Sequence, residues 1–148
     1  MPTFTILPGF LFHEADKVHD LGADTLTVAL SNTAPGSEST PVNSDTAANC
    51  VLANVTQVSY TYCSSRVITT TSITLASSVV KLVLQDLTLT ATGGAVGPFR
   101  YIYIYNDTAT NDELIGYIDY GDNITLNDTE YIILDFSAAN GVLQKSIG

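Results

Sequence analysis

Residues 91–121, ATGGAVGPFRYIYIYNDTATNDELIGYIDYG, constrain the fold more than any other stretch of the chain. Tyr101, Tyr103 and Tyr105 alternate with Ile102 and Ile104, the period of an extended strand with two different faces. Asn106-Asp107 opens a polar turn, and Leu114-Ile115-Gly116-Tyr117-Ile118-Asp119-Tyr120 reads as the return strand. A chain organised around this pair is a sheet protein. Nothing in the pair has the residue types of a catalytic centre.

The rest of the chain agrees. Thr25–Ser31 alternates, with Leu26, Val28 and Leu30 expected inward and Thr25, Thr27, Ala29 and Ser31 outward. Residues Asn32–Asn49 are Ser, Thr, Pro, Gly, Asn and Asp with almost nothing to bury, which predicts a long surface loop able to reach a neighbouring molecule. Two short strands are expected within Cys50–Tyr62, a Thr-rich extended segment over Val67–Leu75, and the longest strand over Val79–Thr92 with a change of environment at Asp86. Tyr131–Phe136 and Val142–Ile147 close the chain around the hairpin signal Asn140-Gly141. Ahead of all this, Thr3–Phe12 reads as an apolar extended arm broken at Pro8-Gly9, with one or two helical turns over His13–Leu21. The expected architecture is all-β: an antiparallel sandwich, jelly-roll or Greek-key like, of about eight to ten strands. Residues 1–19 form the extended N-terminal arm and residues 20–148 a single β-sandwich domain.

Composition excludes several classes of function. The chain has 148 residues, 45% of them hydrophobic and only 14% charged, which is enough for one core and too apolar for a disordered chain. A net charge of −10, with Lys17, Arg66, Lys81, Arg100 and Lys145 scattered, excludes a nucleic-acid partner or a polybasic membrane-surface site. No apolar run approaches the roughly 20 residues of a membrane helix, and no cationic leader precedes the N-terminal apolar stretch, so no membrane partner is expected and synthesis in the cytoplasm is. That compartment favours two reduced thiols, Cys50 and Cys63, over a disulfide.

Known catalytic and metal patterns fail one by one. After His13-Glu14 the second histidine of a metalloprotease helix would fall at Lys17, whereas the chain has it at His19. No nucleophile elbow accompanies the two histidines. The acids Asp107, Asp112, Glu113, Asp119, Asp122, Asp128 and Glu130 read as solvated turn residues, and no calcium-loop pattern occurs among them. Asn54, Asn106, Asn123 and Asn127 each begin an Asn-x-Thr triplet and read as turns entering Thr-rich strands. Catalytic residues, cofactors and metals are therefore all expected to be none, and the chain is expected not to be an enzyme.

Several blocks do carry a resemblance. Thr90–Gly94, Gly97–Tyr101, Tyr105–Asp107 and Leu114–Gly121, with Asp20–Leu26 and Val28–Pro35 before them and Ala139–Leu143 after, resemble a family of small virion proteins of tailed bacteriophages. The chain departs from the family pattern between Ala47 and Leu75, where a Gly-rich hairpin gives way to Cys50, Cys63 and a Thr run, so no contact is carried over for that section. The resemblance implies a capsid cement or decoration protein on the capsid exterior. Its partners would be the major capsid protein and further copies of itself, a trimer being favoured. The candidate shell contacts are Phe4, Ile6, Leu7, Phe10, Leu11 and Phe12 on the arm, and Pro35, Ser37 and Pro41 in the long loop. The alternative for the arm is an ordinary first strand packed on its own core. Arg100 is expected to pair with Asp119 or Asp107 within the chain. The alternatives for the whole are a tail, head-tail or fibre-associated component, and a carbohydrate-binding β-sandwich with Tyr101, Tyr103 and Tyr105 as an exposed platform.

Overall fold

The computed structural model describes residues 3–136 and 143–146. In chain order the elements are β1 (Phe4–Ile6), α1 (Pro8–Ala15), β2 (Leu26–Ser31), β3 (Val67–Ile68), β4 (Thr70–Ala76), β5 (Val79–Leu84), β6 (Leu87–Thr90), β7 (Val96–Asn106), β8 (Leu114–Leu126), β9 (Tyr131–Leu134) and β10 (Leu143–Ser146). Five strands form the main antiparallel sheet in the order β1-β8-β7-β2-β3, and two smaller sheets, β10-β5-β4 and β6-β9, complete the set. The fold is all-β, as the alternation predicts. The signals at Ala139-Asn140-Gly141, Val142 and Ile147 lie outside the described residues.

β7 and β8 are the spine, paired from Val96↔Leu126 at one end to Tyr105↔Leu114 at the other. The alternation of β7 becomes two chemically different faces. Ile102 and Ile104 join Leu26, Val28 and Leu30 of β2, Leu82 and Leu84 of β5, Leu89 of β6 and Leu134 of β9 in the larger core. That core is the space between the main sheet and the two small ones, the arrangement of a sandwich. Tyr103 and Tyr105 point the other way, into a second cluster with Leu7, Ala29, Val42, Cys50, Val55 and Leu114. Each large apolar side chain taken fully out of water in either layer contributes about 1.5–3 kcal/mol.

This second cluster changes three expectations. β2 is buried on both faces along its whole length, because the residues expected outward from Thr27 onward lie under the second layer. The stretch Cys50–Tyr62 holds no strand among its described elements. It forms a 3-10 turn over Leu52–Asn54, preceded by another over Ala47–Asn49, and single bridges join Val51 to Glu113 and Gln57 to Ser31. The loop after β2 is not a solvated excursion either: Val42 is fully buried and Pro35 and Glu38 are buried with it.

The apolar run Val79–Thr92 is two strands in two sheets. It breaks at Gln85-Asp86, where the Asp86 carboxylate accepts a 2.8 Å hydrogen bond from the backbone N–H of Phe136. β4 and β5 form a ribbon joined by Ser77-Ser78, both in the left-handed region at φ 50° and 64°, the conformation of a two-residue hairpin turn.

The N-terminal segment departs most from its expected form. Only Phe4–Ile6 is extended, and it pairs with β8 through Phe4↔Ile118, Thr5↔Tyr117 and Ile6↔Gly116. Gly116 makes that pairing possible, since a Cβ there would stand 2.4 Å from the Thr5 carbonyl oxygen and 2.5 Å from the Phe4 ring. Pro8-Gly9 does not break an arm. Pro8 opens α1 at the position where its missing N–H costs nothing and its fixed φ suits the helix.

Candidate functional site

α1 docks through Gly9, Phe10 and His13, all buried, with Gly9 so close to Cys50 that a Cβ would meet the Cys50 Cβ at 2.3 Å. Leu7 and Phe10, each 1% exposed, are structural residues of the two clusters and unavailable to a partner. Phe4 is half-buried against the larger core. The opposite side of the segment is different: Leu11 and Phe12 are each 59% exposed and Ile6 is 37% exposed. Of the six contact candidates on this segment, three therefore face solvent, carried on a strand and a helix instead of an extended arm. The two readings of the segment merge, because it is both a first strand packed on its own sheet and a presenter of apolar side chains.

The loop candidates divide as well. Ser37 is exposed, Pro41 half-buried and Pro35 buried. The loop is held by Glu38, whose two carboxylate oxygens accept from Thr56 N–H at 2.9 Å and from the Thr56 hydroxyl at 2.7 Å. The Ser31 hydroxyl adds a 2.6 Å donation to the Thr56 carbonyl. Thus the buried side of the loop covers Ala29 and Tyr103 through Val42 and Glu38, while Asn32, Gly36, Ser37, Ser39, Asn43 and Asp45 keep its other side exposed.

The tyrosines make no platform. Tyr103 is fully buried and Tyr105 is 4% exposed; Tyr103 also packs on Tyr117, ring centroids 5.9 Å apart. Desolvation raises the Tyr103 phenol first of all, with Glu38 and the neighbouring tyrosines adding to it, and its hydroxyl has no hydrogen-bond partner. That burial removes the surface a sugar-stacking site would need.

Arg100 forms the expected intramolecular pair. Its Nε and Nη2 donate to the two Asp119 oxygens at 2.7 and 3.1 Å, which raises the guanidinium and holds the Asp119 carboxyl below its ordinary range, with the Gly121 N–H assisting. The thiols are both free: burial pushes Cys50 up to about 12 and raises Cys63, the latter partly offset by Arg66.

One cluster of titratable groups collects where α1 ends and the β7–β8 connection returns. The His13 and His19 rings lie 6.1 Å apart, with Phe10 5.1 Å from His19. Asn106, fully buried at the end of β7, contacts His19 Nδ1 at 3.0 Å and donates to Asp24. Glu113 is 5% exposed, and its oxygens accept from the Asn111 backbone at 3.2 Å and side chain at 3.0 Å. Burial opposes charge on Glu113, but those bonds and nearby His13 leave its carboxyl below the ordinary range. Desolvation raises Asp112, and Asp107 and Glu113 add to it. Three shallow concavities surround the cluster; the largest, about 600 Å³, lies between His13, Val51, Leu52, Gln57, Asn111 and Glu113. Among the described residues no group of three or more His, Cys, Asp or Glu is arranged to hold a metal ion.

The sequence reading also missed a surface. On the β4–β5 ribbon Leu75 is 73% exposed, Ile73 48% and Val80 36%, although their spacing resembles that of inward-facing residues. The one available signal was the Thr and Ser between them, which leaves neither face of β4 distinctly polar. No helix among the described residues is long and apolar enough to cross a membrane. Comparison with family models, with curated proteins and with solved structures returns no match.

Proposed function

We propose that this chain is a structural virion protein of a tailed phage, a capsid cement or decoration protein that bridges major capsid subunits and stabilises the expanded head. The carrying observation is that Leu11 and Phe12, adjacent and each 59% exposed, project from a helix whose other side is locked into the body. A rigid helix that presents two large apolar groups costs little ordering entropy on binding, which suits an anchor. Ile6 and the loop residue Ser37 extend the proposed contact surface. The resemblance to tailed-phage virion proteins supplies the partner, and of the blocks that carry it Gly97–Tyr101, Tyr105–Asp107, Leu114–Gly121 and Val28–Pro35 fall largely on β7, β8 and β2.

The mechanism is linkage. A subunit that binds only the assembled shell stabilises that state by mass action, and copies arranged as a trimer around a symmetry axis add avidity without new kinds of contact. The test is copy number in purified particles relative to the major capsid protein. Near-stoichiometric abundance supports cement, a handful per particle supports a tail or head-tail component, and absence from particles removes both. Leu11→Glu with Phe12→Glu should leave the isolated fold intact and weaken particle binding at least tenfold, about 1.4 kcal/mol.

A further inference from the structure

Asn106 has its amide orientation dictated by its neighbours. Oδ1 accepts from Thr108 N–H at 3.0 Å and Ala109 N–H at 3.2 Å, and backbone N–H groups only donate. Nδ2 must then supply both remaining bonds, one to the Asp24 carboxylate and one to His19 Nδ1. His19 Nδ1 is therefore an acceptor, and the neutral ring carries its proton on Nε2, which is buried and unpartnered.

A second proton on His19 has no place in this arrangement. It would set Nδ1–H against the Asn106 NH2 group, donor against donor. Turning the amide over would satisfy His19 and instead place NH2 against the N–H groups of Thr108 and Ala109. Either way a buried donor is left unmet, at about 1–3 kcal/mol. We infer that His19 and Asn106 form an acid-sensitive latch: the connection over residues 107–113 stays closed only while His19 Nδ1 is unprotonated.

The surrounding charges set the working range. His13 and Glu14 face His19 from α1, Asp24 from the approach to β2, and Glu113 from the β7–β8 connection, while Lys17 and Asp20 share its concavity. Burial lowers the His19 pKa from 6.5, His13 lowers it further, and Glu113, Asp24 and Glu14 oppose the shift without reversing it. The closed form thus keeps its full stability above 6.5 and loses it progressively as pH falls from 6.5 toward the depressed value. Opening would loosen more than a turn. Leu52 N–H bonds Asp112 O at 3.1 Å and Leu114 N–H bonds Cys50 O at 3.0 Å, so the wall that receives α1 is tied to the same connection.

The decisive measurement is NMR on the full chain across pH, reading the imidazole nitrogens of His19 together with amide exchange at Thr108 and Ala109. The expected result is an Nε2–H tautomer at neutral pH. Protection at those amides, corrected for intrinsic exchange, should then fall by up to about tenfold per pH unit below 6.5, following His19 and not His13. His19→Gln, whose amide oxygen can accept from Asn106, should make that protection independent of pH. His13→Gln should move the midpoint upward while keeping the link. An Nδ1–H tautomer, flat protection while His19 titrates, or loss that follows His13 would overturn the latch. The wild-type titration decides the matter even where a variant fails to fold.

Discussion

The two faces of β7 belong to one strand and are covered in opposite ways. Ile102 and Ile104 meet other strands in a dry layer of Leu, Ile, Val and Phe. Tyr103 and Tyr105 meet a loop, two 3-10 turns and the start of α1, a layer that holds Glu38, Cys50 and a phenol with no partner. The first layer is held by area and packing density. The second is held by a few polar ties and a few large side chains, so it should open first.

Four changes probe that contrast. Ile104→Ala hollows the dry layer and should cost about 2–5 kcal/mol by denaturant titration, with a single cooperative transition. Glu38→Gln weakens the tie to Thr56 and should cost about 1–2 kcal/mol, but its signature is local. The thiol of Cys50 should react with an alkylating reagent many-fold faster, while exchange at Ile104 is unchanged. Equal acceleration at both places would show that the layers unfold as one and erase the distinction. Tyr103→Phe removes a buried hydroxyl that bonds nothing, and melting should show no loss or a gain of up to about 1 kcal/mol. The smallest effect belongs to Arg100→Ala at the exposed pair. The pair's contribution is present above pH 3.8 and lost below it as Asp119 protonates, and salt should erase it.

The dry layer was legible in the sequence and the polar one was not. Period-2 alternation reports a face that meets a sheet, which is why β7 and β8 cover Tyr101–Tyr105 and Leu114–Tyr120; both strands run further, back to Val96 and on to Leu126, through Gly97-Pro98 and through Asn123, which read as a turn. Alternation does not report what lies on the tyrosine side. The loop after β2 is anchored by Val42, Pro35 and Glu38 alone, three residues in a run of otherwise turn-forming types. A buried acid with its own N–H and hydroxyl donors reads, in sequence, like any solvated glutamate. The helix was hidden differently: Pro8-Gly9 suggests a break, yet Pro at a first helical position and Phe10 and His13 three apart are also the marks of a helix start. The exposed side of that helix, with Leu11 and Phe12, follows only once its buried side is known. As for the latch, His13 and His19 match no catalytic spacing, and the contact of His19 with Asn106 joins residues 87 apart in sequence, a separation that no local pattern encodes.

The Ser77-Ser78 turn has a practical meaning of its own. Both residues are exposed, they close a ribbon whose β4 strand ends in exposed Leu75 and Ala76, and neither core cluster draws on them. Peptide inserted between them would lengthen the ribbon without entering either layer. The fold therefore carries a port where sequence can be added while both layers stay as they are.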